Sequence, residues 1–350
     1  MKAVVHYLRD LSVASVSGWN RFWFTATDPA TLGFIRILAG AMLFYTHLVW
    51  TRALEQFFGP YSWTSPAAAR SFLGDNGFAW SYFWWIDSPT VLWLAHFAAL
   101  VVFAMLTIGL FSRVTSVLAF ICAVSYIHRV PGSWFGLDQI NIFLAMYLMV
   151  GPSGAAYSVD RWLAKRRAGG APLAIVPSVS ANVAIRLLQI HMCIIYFYAG
   201  LSKMQGGSWW AGAALWGAFA NLEYQTLDMT WLATWPVAIA FLTHSTAYWE
   251  MFFPALIWPR IIRPIWLAFA IPLHLGIGIC MGMMTFGLAM LIGCASFLPP
   301  EFVRTIIDGR QSRGGQGGAA EEPRVSIRVG KSRQTNARPP RADLQAQRAP

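Results

Sequence analysis

Long apolar runs separated by short polar turns organise this chain. Thr31–Trp50 is the first, LGFIRILAGAMLFYTHLVW with one threonine ahead of it, and Val91–Phe111 and Thr115–His128 follow with only Ser112 and Arg113 between them. Next comes GSWFGLDQINIFLAMYLMVGPSGAAYSVD, a polar helix start, an apolar stretch and a small-residue turn. Val183–Leu201, Pro236–Trp258, Pro264–Gly282 and Met283–Leu298 complete the series. Runs of this length and apolarity read as membrane-crossing helices. The pattern therefore predicts an all-α, polytopic integral membrane helical bundle with about eight transmembrane helices.

Three stretches fall outside the runs. Residues 1–29 place Val4, Leu8, Leu11 and Phe22 at helical spacing among Arg9, Asp10, Asn20 and Arg21, the pattern of an amphipathic helix lying on the membrane. Residues 51–90 are rich in Trp, Tyr and Phe, which favour the membrane–water interface, so surface helices are expected there. Residues 309–350 have no aromatic residue and carry nine Lys/Arg against three acidic residues, the composition of a disordered basic tail. With the amino terminus inside, alternation through eight spans places the basic loop 161–167 and the Arg260–Arg263 turn in the cytoplasm, and 205–230 opposite.

Composition agrees with the runs. The chain is 57% apolar and only 12% charged, with a mean hydropathy of +0.49, whereas a soluble domain carries about 25% charged residues. The net charge of +11 is concentrated towards the tail, so membrane lipids are expected as partners and nucleic acid is not. Cys122, Cys193, Cys280 and Cys294 all lie in apolar runs without a CxxC pair, so they read as small core hydrophobes and no metal is expected. GxGxxG, Walker and HExxH patterns are absent.

An ionisable residue inside an apolar run is costly unless it has a partner or a task. Arg36, His47, Arg186, Lys203, Glu250 and His274 are the candidates. Gln189, Tyr196 and Lys203 stand at seven-residue steps and share a helix face. Burial disfavours an ammonium and can turn a lysine into a free base; the competing reading is an interfacial anchor whose amine reaches the headgroups. Arg36 reads either as an inward-facing charge or as a snorkelling one. Glu250 reads equally as structural glue paired to Arg36 or Arg186, and His274 as a partner for a neighbouring hydroxyl or carbonyl.

YFYAGLSKMQGGSWWAGAAL, residues 196–215, resembles the YF-x-AG-x-K-K-L-x-x-x-W-x-x-G segment of the vitamin K-dependent gamma-glutamyl carboxylases and, more broadly, of their bacterial relatives, the HTTM (horizontally transferred transmembrane) proteins. LGFIR in the first run, YWEMFFPALIWPRIIRP and HLGIGICMGMMTFGLAML resemble further pieces in the same order, so the resemblance covers nearly all of 30–300. It implies that Lys203 is a catalytic base acting on a reduced quinone, with Glu250 and His274 beside it. Arg36, Gln189 and Tyr196 then face the ligand, and Asp138 or Asn141 stands where the carboxylases carry a histidine. Ser202 replaces the first lysine of their pair, and a short tail stands where they continue into a large luminal domain. The resemblance thus implies quinol chemistry rather than carboxylation of protein glutamates. The rival from another class is a non-catalytic membrane subunit, bound to other membrane proteins, or a lipid or solute carrier.

Overall fold

The computed structural model describes residues 2–74, 78–171 and 173–309, with side chains from residue 4 onward. The basic tail expected at 309–350 lies, apart from Gly309, outside the described residues. In chain order the helices are α1 (Lys2–Phe24), α2 (Ala30–Trp50), α3 (Leu54–Phe58), α4 (Pro66–Leu73), α5 (Pro89–Ile108), α6 (Ser112–Arg129), α7 (Gly136–Val150) and α8 (Val159–Arg167). The second half holds α9 (Val179–Met204), α10 (Gly207–Trp210), α11 (Ala214–Phe219), α12 (Pro236–Leu256), α13 (Arg263–Cys280), α14 (Met284–Cys294) and α15 (Pro300–Asp308). A single bridge, Thr27 to Ser178, is the extended pairing seen among the described residues.

The all-helical class holds, but the count of eight spans does not. Four helices among the described residues are long and apolar enough to cross a membrane: Ala30–Phe58, Pro89–Ile108, Val179–Met204 and Arg263–Cys280. A fifth is reached only if Met284–Phe297 and Pro300–Asp308, bent by 117°, count as one. The reasons are local. The fourth run forms a helix of only 15 residues, ended at Gly151. α6 and α12 have the length, but serines, threonines, a histidine, arginines or Glu250 dilute their apolarity. In the eighth run Pro299 and Pro300 stop the helix and turn it. The assignment of loops to sides, which alternated through eight spans, falls with the count. The protein is nonetheless an integral, multi-pass membrane protein.

The tightest pairings are α9 with α12, α13 with α14, α2 with α5 and α6 with α7. Where α2 meets α5, Arg36 is fully buried and donates to four backbone carbonyls: Leu106 and Thr107 at 2.7 Å each, Ser153 at 3.0 Å and Tyr157 at 2.6 Å. The first two belong to the last turn of α5, which has no helical donors of its own. Gly109, in the left-handed region, leaves room for the guanidinium: a Cβ there would lie 2.5 Å from Arg36 Nη1. The same junction seats Asp160, which accepts from the Phe111 and Ser112 backbone N–H groups and the Ser112 hydroxyl at 2.7–2.8 Å, capping α6. Ser158 caps α8 next to it.

Burial works to raise the Asp160 pKa, but the Ser112 and Phe111 hydrogen bonds and the Arg36 charge outweigh it and hold the carboxyl below its usual range. Its contribution is full above the unfolded-state pKa and is lost as pH falls through the depressed folded value. Asp160→Asn should lower the melting temperature at neutral pH, and the deficit against the parent protein should shrink on acidification below about pH 4. Arg36→Met strands several buried carbonyls, at about 1–3 kcal/mol for each one left unmade, and should be the more damaging of the two. Thermal unfolding in detergent followed by size-exclusion chromatography checks both.

Candidate functional site

The site grows from one close crossing. α9 and α12 pass so near at Gly200 that a Cβ would lie 2.5 Å from the Met251 nitrogen and 3.1 Å from the Glu250 carbonyl carbon. Lys203 stands one turn beyond Gly200, and this approach brings its Nζ to 2.5 Å from Glu250 Oε2. The lysine side chain keeps 22% of its surface and the glutamate 10%. Pro254, inside α12, has no N–H to give the carbonyl of Glu250 four residues earlier. The Trp209 ring also lies 5.2 Å from Nζ. The turn at Gly206 starts α10 there, and the Trp210 indole donates to the Met204 carbonyl at 2.6 Å, closing the end of α9. The result is an ammonium held between a carboxylate and an aromatic face.

Two turns back along α9, Tyr196 is fully enclosed. Its hydroxyl is 2.6 Å from His274 Nε2 on α13 and 3.2 Å from Cys294 Sγ at the end of α14. Trp249 and Phe253 of α12 pack on its ring at 4.9 and 4.3 Å. α14 presses on α13 where Gly287 meets the His274 carbonyl, with no room for a Cβ. His274 Nδ1 is buried and finds no hydrogen-bond partner among the described residues. Trp249, the residue before Glu250 on α12, packs on Tyr196 at 4.9 Å and on His274 at 6.5 Å, ring to ring. Lys203, Glu250, Tyr196 and His274 therefore form one cluster where α9, α12, α13 and α14 meet.

The other residues expected at the site go elsewhere. Arg36 is the carbonyl clamp described above. Gln189 donates to the Ser296 carbonyl at 2.8 Å and accepts from Arg186 at 2.9 Å, tying the middle of α9 to the turn after α14. Arg186 itself lies over Phe22, with a 4.4 Å approach to the ring. Glu250 thus pairs with neither Arg36 nor Arg186. Asp138 accepts from the Phe135 N–H at the start of α7. Asp138 and Asn141 line a separate small cavity of about 20 Å³ with His47 and Tyr126, where Asn141 Oδ1 has no partner among the described residues.

Residue-level reading missed three parts of the cluster. Cys294 reads in the sequence as a plain core hydrophobe, yet its thiol lies 3.2 Å from the Tyr196 hydroxyl. Gly200 carried a signal, a small residue one turn before a lysine, which marks close helix approach in membranes. Trp209 follows the Gly206-Gly207 break, so its reach back to Lys203 depends on a turn that periodicity does not describe.

The HTTM domain family model matches residues 24–302, most of the chain and all of this cluster. This chain belongs to the HTTM family. No curated protein and no solved structure matches it. Among the described residues of this HTTM protein, no group of three or more His, Cys, Asp or Glu is placed to hold a metal ion.

The crossing itself can be tested. Gly200→Val must push α12 away from α9, because the neighbouring atoms are backbone and cannot swing aside. The variant should unfold at a lower temperature than the parent and than Gly217→Val, whose site has open space around it. Equal melting temperatures for the two would contradict the crossing.

Proposed function

We propose that this membrane-embedded HTTM protein binds a quinone-like amphipathic ligand and handles a proton at the Lys203–Glu250 pair, in chemistry related to that of the vitamin K-dependent carboxylases. The observation that carries the reading is the 2.5 Å pair of Lys203 and Glu250, with the hydrogen-bonded pair of Tyr196 and His274 two turns back along α9. Charged side chains within a membrane domain mark paths for ions, protons or substrates more often than not. The resemblance of residues 196–215 to the carboxylase segment supports the same choice of lysine.

A quinone needs an apolar enclosure and a few hydrogen-bonding groups facing its oxygens. One observation meets that demand: His274 Nδ1 is a buried polar atom without a partner among the described residues, set among the rings of Tyr196, Trp249 and Phe253. A bound quinol supplies the transferable proton and the reducing electrons. Lys203 Nζ takes up a proton when its ammonium has first given one away, and Glu250 Oε2 is the acceptor in contact. The Trp209 ring, 5.2 Å from Nζ, supplies an aromatic face to the amine. Tyr196 and His274 hold a hydrogen-bonded pair deeper in the bundle and orient whatever reaches them.

One observation favours a second reading, a non-catalytic carrier or subunit: an ion pair joining two helices is also how structural glue looks. Arginine separates the two. Lys203→Arg preserves a cation for Glu250, so the fold survives under either reading, but arginine stays protonated and cannot act as a base. The proton-handling reading requires Lys203→Arg to fold, to retain any quinone that co-purifies with the parent, and to lose quinol-dependent turnover at least a hundredfold. Quinone content of the detergent-extracted protein and oxygen-dependent quinol oxidation are the measurements. Full turnover in the arginine variant would refute it.

A further inference from the structure

α8 is fixed at the edge of the membrane core. α5, a candidate span, ends at Ile108, and Asp160 in the first turn of α8 accepts from the Phe111 and Ser112 backbone N–H groups just beyond it. The Asp160 N–H donates in turn to the Gly109 carbonyl at 3.0 Å. Phe111 itself is exposed. α8 therefore begins where hydrocarbon gives way to headgroups.

The helix is basic on the side turned away from that anchor. Arg161 with Lys165, and Trp162 with Arg166, are pairs at four-residue spacing that occupy adjoining strips of one face. Asp160 falls on the opposite side of the helix. The Arg166 guanidinium stacks over the Trp162 ring at 3.9 Å, and Trp162, Lys165 and Arg166 are all exposed. Arg161 is tied to the Leu173 carbonyl. None of these cations has an ion pair among the described residues. Tryptophan favours the headgroup zone, and cations held there without partners attract anionic headgroups.

A cleft adjoins the start of the same helix. It has a volume of about 210 Å³ and is lined by Ser112, Arg113 and the turn at 151–155. Ser112 sets it against α8, because its hydroxyl donates to Asp160 at 2.7 Å. Arg113 is exposed and also has no ion pair among the described residues. Sites for drug-sized molecules measure roughly 300–1,000 Å³. This cleft is smaller, so it admits a headgroup and leaves the acyl chains in the bilayer.

We propose that α8 and the Arg113 cleft form a docking site for the headgroup of an anionic phospholipid. Arg113, Lys165 and Arg166 supply the charge, and Trp162 holds the helix at headgroup level. A zwitterionic headgroup brings an ammonium together with its phosphate, and the unpaired cations repel it, so the site selects net negative charge. The site is independent of the ligand proposed for Lys203.

Native mass spectrometry of the full-length protein in detergent, with phosphatidylglycerol and phosphatidylcholine of identical chains, reads this preference. Each cation near a membrane surface strengthens anionic-lipid binding roughly fivefold. The parent protein should retain phosphatidylglycerol about tenfold over phosphatidylcholine or better, and added sodium chloride should weaken that preference. Lys165→Gln combined with Arg166→Gln should bring it close to parity, and Arg113→Gln alone should lower it severalfold. Arg9→Gln combined with Arg52→Gln, the same change of charge at other exposed positions, should leave it intact. All the substituted side chains are exposed, and unchanged melting temperatures verify that the variants fold; the salt dependence of the parent needs no variant. Equal retention of the two lipids by the parent, or an equal loss in the two double variants, would overturn the proposal. Displacement of the bound lipid by inorganic phosphate would overturn it as well, by marking a site for a soluble anion.

Discussion

A charge inside a membrane domain needs a partner, and in this protein Lys203 finds Glu250. The pair fixes more than two side chains. It requires α9 and α12 to cross within reach of each other, which only a residue without a side chain at 200 permits. That crossing in turn sets Trp249 and Phe253 against Tyr196, and the Tyr196 hydroxyl ties α9 to α13 and α14. The Lys203 cluster and the packing of the second half of the domain are therefore one arrangement.

The first half obeys a different constraint, the need to satisfy backbone carbonyls away from water. Arg36 meets it where α5 ends. Arg129, fully buried, meets it again by donating to the carbonyls of Gly59 and Thr64 in the aromatic connection after α3. Arginine suits the task because five donors in a rigid fork can serve several acceptors at once. Arg36, which looks like a functional charge in an apolar run, thus acts as a cap, as Arg129 does at the end of α6, whereas the less buried Lys203 sits with a carboxylate.

Apolar runs made the helical, membrane-embedded class legible in the sequence, and the 196–215 segment pointed to Lys203. The span count failed because periodicity measures neither how far hydroxyls in α6 and α12 dilute apolarity nor how sharply Pro299 and Pro300 bend a run. Glu250 and His274 were legible as costly residues needing partners, but their partners were not, since these come from other helices. Cys294 was invisible for the same reason: a buried thiol has the sequence signature of any small hydrophobe until a hydroxyl is found against it. Asp138 and Asn141 matched a position in a family pattern, and the chain path takes them to a cavity lined by His47 instead.

The central claim is that Lys203 and Glu250 are energetically one unit. A double-mutant cycle of Lys203→Met, Glu250→Leu and the combination, read as unfolding free energy in a fixed detergent, addresses it directly. Stranding one charge of a buried pair costs about 3–5 kcal/mol, and the 22% exposure of Lys203 brings the expected single-variant loss nearer 2–3 kcal/mol by partial solvation. The account predicts that the double variant loses no more than either single variant, giving a coupling of about 2–3 kcal/mol. Additive losses, with no coupling between the two sites, would contradict it.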